Sequence, residues 1–183
     1  MGPTMVDPVI ARIWFYRMLF VVLTTGLLLL CLTPLQFTAP RWAGPDIVLC
    51  VTLSWALRRP SYVPAILIAL VFFAGDLLLH RPPGLMAAIV VLAGEFLRDR
   101  APFMRDAPFS TEWLLVGAVM LLVVLAYRTG LVLAIAEPPP FWLSLTQLVS
   151  TVLAYPVVVW VSRFAFGVGR ASPHEGGNRE APA

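Results

Sequence analysis

The sequence predicts an all-α integral membrane protein with about six transmembrane helices, and three observations carry that expectation. Of 183 residues, 60% are apolar and only 13% are charged, with a mean hydropathy of +0.86. A soluble domain is about 45–50% apolar and about 25% charged, so the composition excludes both a soluble globule and a disordered chain. Second, the apolar residues fall into runs separated by arginine, proline and glycine. A spanning helix takes roughly 20 residues, so about five to seven spans use up the chain and leave no sizeable domain outside the membrane. Third, the tryptophans Trp14, Trp42, Trp55, Trp113, Trp142 and Trp160 lie near predicted span ends, as do Tyr16, Tyr62 and Tyr127. That placement predicts an aromatic belt at both interfaces.

Residues 1–17 read as a short cytoplasmic tail, and residues 18–166 as a single polytopic membrane domain. The first span, 18–35, follows Arg12 and Arg17 and imitates a secretory signal. In Phe37-Thr38-Ala39, however, phenylalanine stands where cleavage needs a small residue, so the helix is expected to remain uncleaved. The second span, 43–57, is stopped by Arg58-Arg59-Pro60, and the third, 62–79, by His80-Arg81-Pro82-Pro83. The fourth, 84–97, closes on Arg98-Asp99-Arg100. A Ser110 or Thr111 N-cap opens the fifth, 111–127, with Glu112 in the first turn where a carboxylate suits the helix dipole. The sixth, 141–166, follows Pro138-Pro139-Pro140 and carries Pro156, a kink that membrane helices tolerate. Residues 167–183, rich in glycine, proline and charge, read as a disordered cytoplasmic tail.

Charge sets the orientation. All 13 basic residues are arginine. Six spans place Arg12, Arg17, Arg58, Arg59, Arg98, Arg100, Arg105, Arg163, Arg170 and Arg179 on the side of the termini, and Arg41, Arg81 and Arg128 opposite. The positive-inside rule then puts both termini in the cytoplasm. In such a chain a net charge of +3 is an orientation signal and gives no reason to expect nucleic acid. Spans two and four have apolar cores that cross only about 18–21 Å, against a hydrocarbon thickness of about 30 Å. They must thin the bilayer, borrow flanking residues or be shielded by neighbours.

Intramembrane polar groups are the candidate functional residues, because each costs free energy there. Asp76, beside Gly75 late in span three, can meet His80 or Arg81; Glu95, late in span four, can meet Arg98 three residues on. Spans three and four run in opposite directions, so the two carboxylates lie at different depths and form no catalytic pair. Gly75 permits close approach of a neighbouring helix. Ser144, Gln147, Thr151 and Ala154 form a small and polar stripe on span six, suited either to internal packing or to a partner's transmembrane helix. Cys31 and Cys50 sit in apolar runs and the histidines number two, so neither a disulfide nor a metal or cofactor site is expected. The loop from Arg98 to Ser110 mixes charge with Phe103, Met104 and Phe109, which can dock a cytoplasmic partner or lie on headgroups.

A set of motifs adds to this reading. Pro45-Asp46 opens span two, Arg58-Arg59-Pro60 ends it, Gly75-Asp76-Leu77 closes span three, and Pro82-Pro83-Gly84-Leu85 opens span four. In order and spacing these residues resemble the rod shape-determining protein MreD family over about residues 45–97. The resemblance implies a non-enzymatic inner-membrane subunit of the bacterial elongation (Rod) complex. Its direct partner would be MreC, with MreB, RodZ, RodA and the elongation transpeptidase as complex members and membrane lipids around it. It also implies an architecture similar to the substrate-binding components of energy-coupling-factor transporters. That supplies the rival expectation, a vitamin-type transporter component with Trp42, Asp76, Arg81 and Arg128 lining an outward cavity.

Overall fold

The computed structural model describes residues 8–32 and 43–166. Within them the chain forms six α-helices and no strand: α1 (Pro8–Leu32), α2 (Ile47–Arg58), α3 (Ala65–Leu78), α4 (Leu85–Arg100), α5 (Phe109–Leu133) and α6 (Phe141–Phe166). Three of these, α1, α5 and α6, are long and apolar enough to cross a membrane. That property, with the apolar composition, marks a membrane protein. By contrast α2 and α3 are shorter apolar helices of 12 and 14 residues, about 18 and 21 Å long.

Local chemistry explains the boundaries. Asp46 caps α2 by accepting the Leu49 amide at 3.0 Å, which satisfies one of the four amides a helix start leaves open. Pro64 and Pro108 stand at the N-caps of α3 and α5 in extended backbone. Gly84 precedes α4 with φ +85, a left-handed conformation that a side chain disfavours. The start of α5 therefore differs from expectation: the helix begins at Phe109 and Ser110 and Thr111 lie inside its first turn. The fixed φ of Pro108 ends the preceding loop two residues earlier than a hydroxyl cap would. Likewise α1 takes in residues 8–17 as well, because Arg12 and Arg17 interrupt an apolar run without interrupting a helix.

Successive helices run in opposite directions. Tyr16 near the start of α1 stacks on Tyr62 just ahead of α3, with ring centroids 4.4 Å apart. Near the other end of α1, Leu28 lies against Gly75, where a Cβ would meet its Cδ2 at 3.4 Å. Ile68 early in α3 presses on Gly94 late in α4, and Leu85 early in α4 on Gly130 late in α5. The main contacts link α1 with α2 and α3, α3 with α4, α4 with α2 and α5, and α6 with α2 and α5. Two four-helix cells result, one of α1, α2, α3 and α4, the other of α2, α4, α5 and α6, with α2 and α4 common to both. From Val48 to Leu57 every residue of α2 is buried, while α1, α5 and α6 turn Phe15, Val22, Leu122, Leu153 and Phe164 outward.

Trp55 corrects the aromatic-belt expectation. It is fully buried and its indole donates to Ser162 Oγ at 3.2 Å, so it ties α2 to α6. Trp14, Trp142 and Trp160 are exposed. Residues 1–7, Phe37-Thr38-Ala39, Trp42 and the tail from residue 167 lie outside the described residues.

Candidate functional site

Polar side chains collect at the two ends of the bundle. At the end where α2 and α4 finish and α5 begins, Arg58 and Glu112 form a bidentate pair: Nε donates to Oε1 at 2.8 Å and Nη2 to Oε2 at 3.0 Å. Tyr155 Oη, from α6, donates to the same Oε1 at 2.8 Å. The Glu112 side chain is 1% exposed and that of Arg58 8%. Arg58 therefore turns inward from the Arg58-Arg59-Pro60 turn that the sequence places in water, and Glu112 is the counterion of another helix, beyond its own first-turn dipole. No spacing rule could have paired residues on different helices. A carboxylate and a tyrosine inside apolar runs are the available signal, and the sequence alone assigns Glu112 only to the dipole of its own first turn. Arg59 and Pro60 are half-buried beside them.

At the same end Glu95 pairs with Arg98 at 2.7 Å, three residues on, as the spacing predicts. Arg98 Nη2 also donates to the Val63 carbonyl at 2.6 Å, which fastens the end of α4 to the turn ahead of α3.

At the opposite end Asp76, 1% exposed, pairs with neither His80 nor Arg81. Its Oδ2 accepts the amides of Gly84 at 3.1 Å and Ala87 at 3.3 Å. The carboxylate on the end of α3 thus caps the start of α4, where open amides and the positive helix pole favour a negative group. This arrangement explains the neighbouring residues. Gly84 supplies the left-handed turn that brings the amides round, exposed Pro83 precedes it, and His80 leaves α3 exposed with φ 53.

The stripe on α6 is engaged within the chain. Thr151 Oγ1 accepts the Asp46 amide at 3.0 Å, and the Thr151 carbonyl receives the Cys50 thiol at 3.3 Å. Ser144 Oγ accepts from Arg128 Nη1 at 2.7 Å. Pro45 is exposed just ahead of Asp46.

Asp46, Arg128, Ser144 and Thr151 border a cavity of about 160 Å³ inside the second four-helix cell. Its floor is apolar, made by Leu49, Met86, Met120, Val123, Val124 and Leu148. Its polar wall comes from Asp46 at the N-cap of α2, Arg81 of the α3–α4 turn, Tyr127 and Arg128 of α5, and Ser144, Gln147 and Thr151 of α6. The Arg81 guanidinium lies 5.9 Å from the centre of the Tyr127 ring, and that of Arg128 lies 5.4 Å from the Phe141 ring. Of the residues expected around an outward cavity, Arg81 and Arg128 line it, Asp76 is turned away to α4, and Trp42 lies outside the described residues. Gln147 of the α6 stripe and Tyr127, which its position near a span end assigns to the aromatic belt, are both in the wall. Among the described residues no group of three metal-ligating side chains converges.

No family model, no characterised protein and no solved structure matches the chain.

Proposed function

We propose that this chain crosses a bacterial cytoplasmic membrane six times, with both termini inside, and serves as a non-enzymatic, MreD-like subunit of a Rod-type elongation complex. Its direct partner is then MreC, and its task is to help couple MreB filaments to lateral peptidoglycan synthesis alongside RodZ, RodA and the elongation transpeptidase. The observation that carries this reading is the use of the buried polar groups. Asp76 holds α3 to α4, Glu112 joins α2, α5 and α6, and Thr151 holds α6 to α2. Each is spent on rigidity, which suits a protein that positions others. The motif order from Pro45 to Leu85 and the ten-to-three division of arginines support the same conclusion.

One experiment tests it: depletion of the protein in its host together with affinity copurification. The expected outcome is conversion of rods to spheres and recovery of MreC with the tagged chain. Rod-shaped depleted cells with no MreC recovered would overturn the assignment. Reporter fusions at either terminus should report the cytoplasm.

A second reading is favoured by the cavity. With an architecture similar to that of energy-coupling-factor substrate-binding components, the chain would be the membrane component of a small-molecule, vitamin-type transporter. Depleted cells would then stay rod-shaped and lose uptake of a vitamin.

A further inference from the structure

We propose that the cavity between α2, α4, α5 and α6 binds an amphiphilic oxyanion, a phosphate or carboxylate held by Arg81 and Arg128 with its apolar portion on the floor. The site is assembled from four helices and a turn, and its guanidinium hydrogen-bond donors are only partly used. Among the described residues the Arg81 guanidinium makes no side-chain hydrogen bond; it lies over the Tyr127 ring, with Asp46 and Asp76 within electrostatic reach. Arg128 uses Nη1 on the Pro139 carbonyl at 2.8 Å and on Ser144 Oγ at 2.7 Å, which leaves the other guanidinium donors for a ligand. Two carboxylates, those of Asp46 and Asp76, lie within electrostatic reach of Arg81, yet neither makes a hydrogen bond to either guanidinium among the described residues. Asp46 Oδ1 accepts the Leu49 amide, and Asp76 Oδ2 accepts the amides of Gly84 and Ala87 at the start of α4. Both guanidinium groups are half-buried at the cavity wall, so an oxyanion that enters can take up their unused donors.

Geometry selects the oxyanion and the floor selects its tail. A planar guanidinium matches phosphate and carboxylate through parallel N–H donors, and Gln147 and Thr151 add polar groups to the same wall. Leu49, Met120 and Leu148 offer no partner to a fully polar ion, whereas they fit methylene groups. The volume is close to that of an engineered cavity of about 150 Å³ that takes up benzene, enough for a headgroup or a short acyl segment. The Arg58, Glu112 and Tyr155 cluster at the far end offers no such opening, since its charges are mutually satisfied. The inference stands apart from the choice between scaffold and transporter, since its readout is binding by purified protein.

The test uses the full-length protein in mild detergent, with native mass spectrometry and thermal unfolding as readouts. The probes are mixed vesicles with equal parts phosphatidylcholine and phosphatidylglycerol, inorganic phosphate, and octanoate. If the source is a lipid, phosphatidylglycerol is retained in preference to phosphatidylcholine. If it is a soluble anion, octanoate or phosphate raises the unfolding temperature and no lipid is retained. In either case Arg81→Gln weakens the interaction by about tenfold or more, the loss expected for one charged hydrogen-bonding group, and Arg81→Lys recovers part of it. Arg81 holds no other helix through a hydrogen bond, so Arg81→Gln is expected to fold, and a normal unfolding temperature without probe verifies this. Should that variant not fold, Val123→Phe, which fills the floor, provides the same comparison. Failure of the folded wild type to bind any of the probes overturns the proposal. So does binding that both Arg81→Gln and Val123→Phe leave unchanged.

Discussion

Arg58 and Glu112 are 54 positions apart in the chain, yet they form the most completely buried ion pair described here. Taking two charges out of water is expensive, and the pair offsets that cost only because its geometry is bidentate and Tyr155 satisfies a further lone pair. Removing one partner should therefore hurt more than removing both. Glu112→Leu is expected to destabilise by about 3–5 kcal/mol, whereas Arg58→Met with Glu112→Leu should recover much of that loss. Equilibrium unfolding in mixed micelles measures the cycle, and additive losses would show that the two side chains act independently. Asp76 is a different case at the same scale. Its partners are backbone amides, so Asp76→Asn keeps an acceptor while losing the charge that faces the α4 pole, and should cost about 1–2 kcal/mol. Asp76→Leu strands both amides and should cost more in the same unfolding measurement.

At the scale of the helix, α2 carries the argument. Its 12 residues reach about 18 Å, less than a bilayer core, but a helix surrounded by α1, α4 and α6 meets protein instead of lipid along its length. Shielding, one of the accommodations open to a short apolar run, is thus the one for which the packing gives direct support. The helix inventory was legible in the sequence because each break carries Arg, Pro or Gly, and the Glu95 with Arg98 contact was legible because it is local. Trp55, Glu112 and the destination of Asp76 were not. Each depends on which helix lies opposite, and a one-dimensional pattern contains no such information. The close contact of α3 with α4 has a legible cause as well: a Cβ at Gly94 would stand 2.8 Å from Ile68 Cδ1. Gly94→Leu should force the two helices apart and cost about 1–3 kcal/mol. Ile68→Ala in the same chain should relieve part of this in thermal unfolding, and no relief would place the strain elsewhere.

Across the molecule, two four-helix cells share α2 and α4, and the second cell is closed by α6 returning to α2. The bonds that close it join Asp46 to Thr151, Cys50 to Thr151 and Trp55 to Ser162, over 105, 101 and 107 residues of chain. A chain truncated after Pro140 should therefore keep the first cell and lose the second, with protease sensitivity confined to α5. Limited proteolysis in membranes measures this, and α5 protected to the full-length level would contradict it. The same long separations set a clock on biosynthesis. At about 5–20 residues per second, α2 waits about 5–20 s before its α6 partner is made. In that interval the first cell alone must keep this short helix in place, and the chamber holding Arg81 and Arg128 does not yet have its last wall. The chamber is thus closed only once α6 has been made, and a chain that stops before Phe141 has no such enclosure.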